Sequence, residues 1–306
     1  MKNIFHTLFF ATTLLSCSEE PFLVDQHYAW VPIDDPNNRT VGNLLSYQND
    51  LYASGSTHSI LKLDNDHWSS VVSFEGSADE FFFFNNTPHL VGTSYNQSRG
   101  VVAKYENGEW IDVYDENNIG VNDLIILPEK VIMVGSFSKN NLSHPAFSYD
   151  GDSIFPLDGG PNSQYTIHSF KERILIGSED GLFEYLGDSW LEIGDYSGVR
   201  YAFASEDVYV FCQFSSNIYH LFLFDGEAVS QVPALPSSFN LNTIGWFDNK
   251  IWVSGHEENE FQCFVLINNK WFSIEGNSDI IEMVENNGTL YGQRLFVNEV
   301  VKLIRL

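Results

Sequence analysis

The chain of 306 residues carries 41 Asp and Glu against 15 Lys and Arg, a formal net charge of −26 at pH 7, with 43% hydrophobic residues. Carboxylates run along its whole length, which excludes a nucleic-acid partner, because phosphate binding needs clustered Lys and Arg. Such acidity suits solubility in a salty exterior.

Residues 1–16, MKNIFHTLFFATTLLS, hold one Lys near the start and an apolar run from Leu8 to Leu15 that is too short for a permanent bilayer span. They read as an export signal. Leu14-Leu15-Ser16-Cys17 resembles the lipobox of bacterial lipoproteins, which implies cleavage before Cys17 and acylation there with chains such as palmitate. Ser18-Glu19-Glu20 resembles the acidic tag of some surface-displayed lipoproteins. The resemblance implies lipid anchoring at Cys17 in the bacterial outer membrane, facing the periplasm or the cell surface, with residues 17–26 as lipidated Cys and short tether. Loss of Lys2 takes the net charge from −26 to −27. The other two cysteines, Cys212 and Cys263, lie in apolar runs of different repeats and are expected as two buried free thiols.

From residue 27 to 306 the chain repeats. A short apolar strand ends in a small residue at Gly55, Gly92, Gly135, Gly177, Cys212, Gly255 and Gly292, at intervals of 37, 43, 42, 35, 43 and 37. After each comes a loop, an alternating strand, a tight Asp/Asn/Gly turn and a strand opened by Trp or an aliphatic residue, as in DNDHWSSV, ENGEWIDV and NNKWFSI. One more apolar run precedes the next small residue. Phe81 to Phe84 are apolar on both faces, which suits an innermost strand.

Each unit is thus four antiparallel strands, and seven such units arranged radially predict an all-β, seven-bladed β-propeller over 27–306. Seven small-residue strands are followed by only six outer strands. Trp30 supplies the seventh, standing 25 residues before Gly55, against 24 from Trp68 to Gly92 and 25 from Trp110 to Gly135. The N-terminal strand around Trp30 is expected to complete the last blade and close the ring. The repeat resembles kelch-like and two-component-regulator-type propeller repeats, the latter most in ILIGSEDGLFEYLGDSW, residues 174–190. It departs from kelch repeats in having one Gly instead of a pair, and blades three and five lack the outer Trp.

Candidate chemistry is sparse. No G-x-S-x-G elbow or closely spaced metal-ligand motif occurs, and His58, His144 and His256 stand singly in loops, so no metal or cofactor is predicted. Turn carboxylates such as Asp64, Asp66, Asp150 and Asp225 fit the needs of tight hairpins better than calcium. One polar series recurs in register: Asp79, Asn122, Gln164, Asn242 and Asp279 each stand thirteen residues before the small-residue anchor. They are predicted to ring the channel mouth as ligand-binding candidates.

The leading expectation is a monomeric, non-catalytic scaffold that meets a protein or glycan on the face away from its membrane tether, through this ring, the loop 136–145 and the aromatics Tyr95, Phe137, Phe214 and Phe296. A carbohydrate-active enzyme using carboxylates of the same face is the second reading. The third is a subunit of an outer-membrane assembly complex, resembling the propeller lipoproteins that assist such assembly.

Overall fold

The computed structural model describes residues 28–33, 41–55, 58–74, 77–93, 100–116, 119–139, 142–205, 207–216, 218–258, 260–274, 279–295 and 299–305. The expected signal segment, Cys17, the expected tether, Tyr95 and Phe296 lie outside them, as do the side chains of Asp79 and Phe137. Every regular element among the described residues is a strand, and the strands form seven four-stranded antiparallel sheets.

In blades 1 to 6 the strands follow chain order from the channel outward. The innermost strands of the seven blades are Val41–Tyr47, Ser77–Phe84, Ile119–Ile126, Gln164–Phe170, Val199–Ala204, Asn240–Phe247 and Ile280–Asn286. Blade 7 is completed from the other end of the chain: Tyr28–Pro32 pairs antiparallel with Val300–Arg305, and Trp30 stands opposite Leu303. The ring closes as its spacing predicts, and Trp30 is 95% buried at that seam (5% exposed).

Alternation on the inner strands fills the seams between blades. Phe81 and Phe83 pack with Ile60 and Val72 of blade 1, whereas Phe82 and Phe84 pack with Met133, Phe147 and Tyr149 of blade 3. A strand between two sheets has no solvent face, so all four rings are buried. Cys212 and Cys263 are buried free thiols in separate seams.

Three of the outer Trp residues share a task. Trp110, Trp190 and Trp271 donate their indole N–H to Ser73, Asp158 and Pro233 carbonyls at 2.7, 3.1 and 2.9 Å, each in or just after the outer strand of the preceding blade. The small anchors serve close approach: a Cβ on Gly135 or Gly255 would stand 2.1 or 2.0 Å from the carbonyl oxygen of Gly120 or Asn240 on the adjacent innermost strand.

Two-residue hairpins connect first to second strands in several blades, with both turn residues at positive φ, as at Asn85-Asn86 (51° and 62°) and Asp248-Asn249 (52° and 54°). Turn carboxylates are occupied by the turns themselves. Asp150 Oδ1 accepts the N–H groups of Asp152 and Ser153, and Asp225 Oδ1 those of Glu227 and Ala228. Those bonds hold both carboxyls below the usual range.

Candidate ligand site

Each innermost strand begins with a break in register against its neighbour, an extra residue at or near position 42, 79, 122, 165, 200, 242 or 281. Such bulges bend the strand and re-aim its side chains. The predicted polar series falls on or just before them. Asn122 donates from Nδ2 to the Gln164 carbonyl of the next blade at 2.7 Å, so those two positions meet. Gln164 is fully buried, donating to the Pro161 carbonyl at 3.2 Å. Asp279 is held within its own blade by Arg294 Nε at 2.7 Å, and Arg294 Nη1 reaches Glu299 at 2.9 Å. Asn242 is half-buried, and the backbone of Asp79 occupies the bulge of blade 2.

The residues just after the bulges build the channel wall. Asp123 Oδ2 accepts from Thr166 Oγ1 and the Ile167 N–H of the next blade, both at 2.9 Å, while Oδ1 takes the Leu124 N–H at 2.8 Å. Glu282 of blade 7 accepts the Leu44 N–H of blade 1 at 2.9 Å, carrying the same link across the closure. Burial pushes the Glu282 carboxyl up to about 7, the Leu44 N–H opposes this, and the Asp123 charge adds to it. Since Asp123 stands on blade 3, the two acids feel each other through the channel. Asp123 is committed to three donors and each acid clamps a neighbouring blade, which assigns them to the wall.

The loop candidates are likewise engaged locally. His144 Nδ1 lies 3.0 Å from Asp158, His58 sits edge-on to Phe74, and His256 lies against Phe261. Phe214 is covered by the Arg200 guanidinium at 4.5 Å and by Tyr219.

Two clefts open instead on the hairpin side, where first strands turn into second and third into fourth. The smaller, about 210 Å³ between blades 2 and 3, is spanned by its own side chains. Lys104 bridges Glu106 at 3.1 Å and Asp152 at 3.2 Å. His89 stacks on Phe82 at 4.9 Å and meets the Tyr149 hydroxyl at 3.0 Å. Burial lowers the His89 pKa to about 4, so its ring is neutral at physiological pH.

The larger cleft, about 600 Å³, spans blades 5 to 7. Trp246 and Phe247 end the innermost strand of blade 6 and remain half-buried, with Phe203 beside them from blade 5. Tyr28, first residue of the closing strand, lies edge-on to Trp252 at 5.0 Å and donates its hydroxyl to Asp248 at 2.6 Å. Lys250 neutralises Asp248 at 2.5 Å. Asp207 and Glu285, both exposed, have no ion-pair partner among the described residues, and the Trp246 indole has no hydrogen bond there. Sequence reading missed this site because Phe203 and Trp246 look like ordinary strand residues and Tyr28 arrives from the opposite end of the chain.

No protein family and no curated protein sequence matches the chain. Solved structures share its fold. The extracellular domain assigned to a hybrid two-component system of B. thetaiotaomicron superposes with a TM-score of 0.65 at 12% identity, over 92% of this chain and 40% of that one. A GH74 xyloglucanase from Xanthomonas campestris gives 0.61 at 12% identity, over 87% and 52%. A puromycin-hydrolyzing peptidase of Mycobacterium tuberculosis gives 0.59 at 8%, over 83% and 50%. The chain therefore spans about two fifths to one half of the length of these neighbours. At such identities they share the propeller, and a propeller hosts binding and catalysis alike.

Proposed function

We propose that this protein is an exported, lipid-anchored propeller that binds a ligand without transforming it, and that the ligand enters the cleft on the hairpin side of blades 5 to 7. The observation that carries the reading is the half-buried Trp246 with an unengaged indole, in a cleft of about 600 Å³ whose size suits a small ligand or one residue of a larger one. The export signal and the extracellular neighbour support a site outside the cytoplasm. Acylation at Cys17 would leave nine residues, Ser18 to Gln26, as a tether of at most about 30 Å. Tyr28 begins its strand on the hairpin side, so the described chain starts on the face that carries the cleft, and the proposed ligand surface moves from the loop side expected from sequence to the hairpin side.

A paired experiment tests this on the full chain. One variant carries Trp246→Ala with Phe203→Ala, the other Asn122→Ala with Asn242→Ala, and both are screened on glycan arrays and against envelope extracts. Loss in the first variant alone is the expected result. Loss in the second alone returns the partner to the channel mouth, and binding retained by both overturns the cleft.

A further inference from the structure

We infer that the cleft of blades 5 to 7 is a receptor for organic cations carrying an alkylated ammonium group; this rests on the binding role proposed above. The argument is charge and surface together. Phe203, Trp246 and Phe247 line the cleft, and an aromatic ring attracts a cation through its negative quadrupole, indole most strongly. Around them stand three carboxylates, Asp207, Asp248 and Glu285. Lys250 cancels only Asp248, and one oxygen of Glu285 takes the Gly288 N–H, which fixes that carboxylate in place. The cleft thus keeps an excess of two negative charges beside its aromatic wall, on a chain whose net charge is −26. An inorganic cation would leave the aromatic wall unused, and a neutral ligand would leave the excess charge uncompensated. A compact alkylammonium satisfies both, its apolar shell against the rings and its charge between Asp207 and Glu285.

The smaller cleft between blades 2 and 3 shows a contrast. There Lys104 sits among Glu106, Asp152 and the Gly151 carbonyl, so the protein supplies an ammonium to both carboxylates. In the larger cleft Lys250 answers Asp248 and leaves Asp207 and Glu285 without an ion pair among the described residues.

The test is calorimetric titration of the full-length protein in neutral detergent, using choline and its uncharged isostere 3,3-dimethylbutan-1-ol. Choline should bind at least about tenfold more tightly than the alcohol, and weaken as salt is raised. Trp246→Ala and the double change Asp207→Asn with Glu285→Gln should each weaken choline about tenfold or more, with the double variant melting at the parental temperature and Trp246→Ala still folded at the temperature of the titration. Equal affinity for choline and alcohol overturns the cation assignment. Trp246-dependent binding of a neutral saccharide such as cellobiose, without choline binding, overturns it too but leaves the cleft as a binding site. Absence of any Trp246-dependent binding, to these probes or on the arrays, overturns both.

Discussion

The rim and the channel wall of this propeller both join neighbouring blades, but with different chemistry. At the rim, Trp110, Trp190 and Trp271 reach back to carbonyls of the preceding blade. At the wall, Asp123 and Glu282 reach forward to backbone N–H groups of the following blade. The rim has room for a large ring beside solvent, and a neutral N–H donor bonds a carbonyl there without burying charge. Near the channel the strands crowd, bulges expose N–H groups, and a short carboxylate is the compact acceptor that satisfies them. The seam at blade 7 uses the wall device through Glu282, whereas at its rim Trp30, on a strand borrowed from the other end of the chain, is held by burial among Cys263, Val265 and Leu303 rather than by a bond to a carbonyl.

Removing the rim anchor at that seam should have the largest effect. Trp30→Ala should cost about 3 to 5 kcal/mol, as for loss of a buried aromatic, and because Tyr28 shares its strand the cleft should loosen as well. Chemical denaturation of the two proteins checks it; parental stability would mean that the rim anchor does not secure the closure. At the wall, Asp123→Ala strands the Ile167 N–H and Thr166 hydroxyl and should cost about 2 to 3 kcal/mol.

Glu282→Gln separates the wall's charge from its hydrogen bond. With the folded carboxyl near 7 and the ordinary value 4.5, the folded state holds the proton more tightly. Its contribution is fully present below pH 4.5 and is lost as pH rises to about 7. Gln keeps an acceptor for Leu44 without that loss. The variant should match the parent near pH 4 and exceed it by roughly 1 to 2 kcal/mol at pH 8; an equal gain at both pH values would show that charge is not the cause. The smallest effect is expected at an ordinary rim position: Trp110→Phe keeps the ring and loses one bond to Ser73, costing about 1 kcal/mol by thermal melts. A cost as large as that of Trp30→Ala would erase the distinction between closure seam and sequential seams.

The rim was legible in the sequence and the wall was not. Trp68 and Trp110 stand 24 and 25 residues before the next small anchor, so Trp30, 25 residues before Gly55, declared its place by spacing and residue type. Phe81 to Phe84 declared an inner strand by having no polar face. The wall was concealed by one extra residue: Asp79 and Asn122 keep the thirteen-residue spacing, but the bulge sends Asp123 as well as Asn122 across to the next blade, and nothing in the spacing marked Asp123. In blades 4 and 7 the break falls one or two residues later, so Gln164 and Asp279 are aligned in sequence without standing at equivalent places. The cleft was hidden for another reason. Its residues come from three blades and from both ends of the chain, and spacing within one repeat carries no signal for a site assembled between repeats.

The central functional claim is that the ligand surface lies at the hairpin side of blades 5 to 7 rather than at the channel mouth of the loop side. Amide hydrogen exchange of the full-length protein with and without saturating choline tests it most directly. Slower exchange at 203–208, 246–250 and 285–289, with 119–123 and 162–166 unchanged, is the predicted result. Protection confined to 119–123 and 162–166, or protection nowhere, would contradict it.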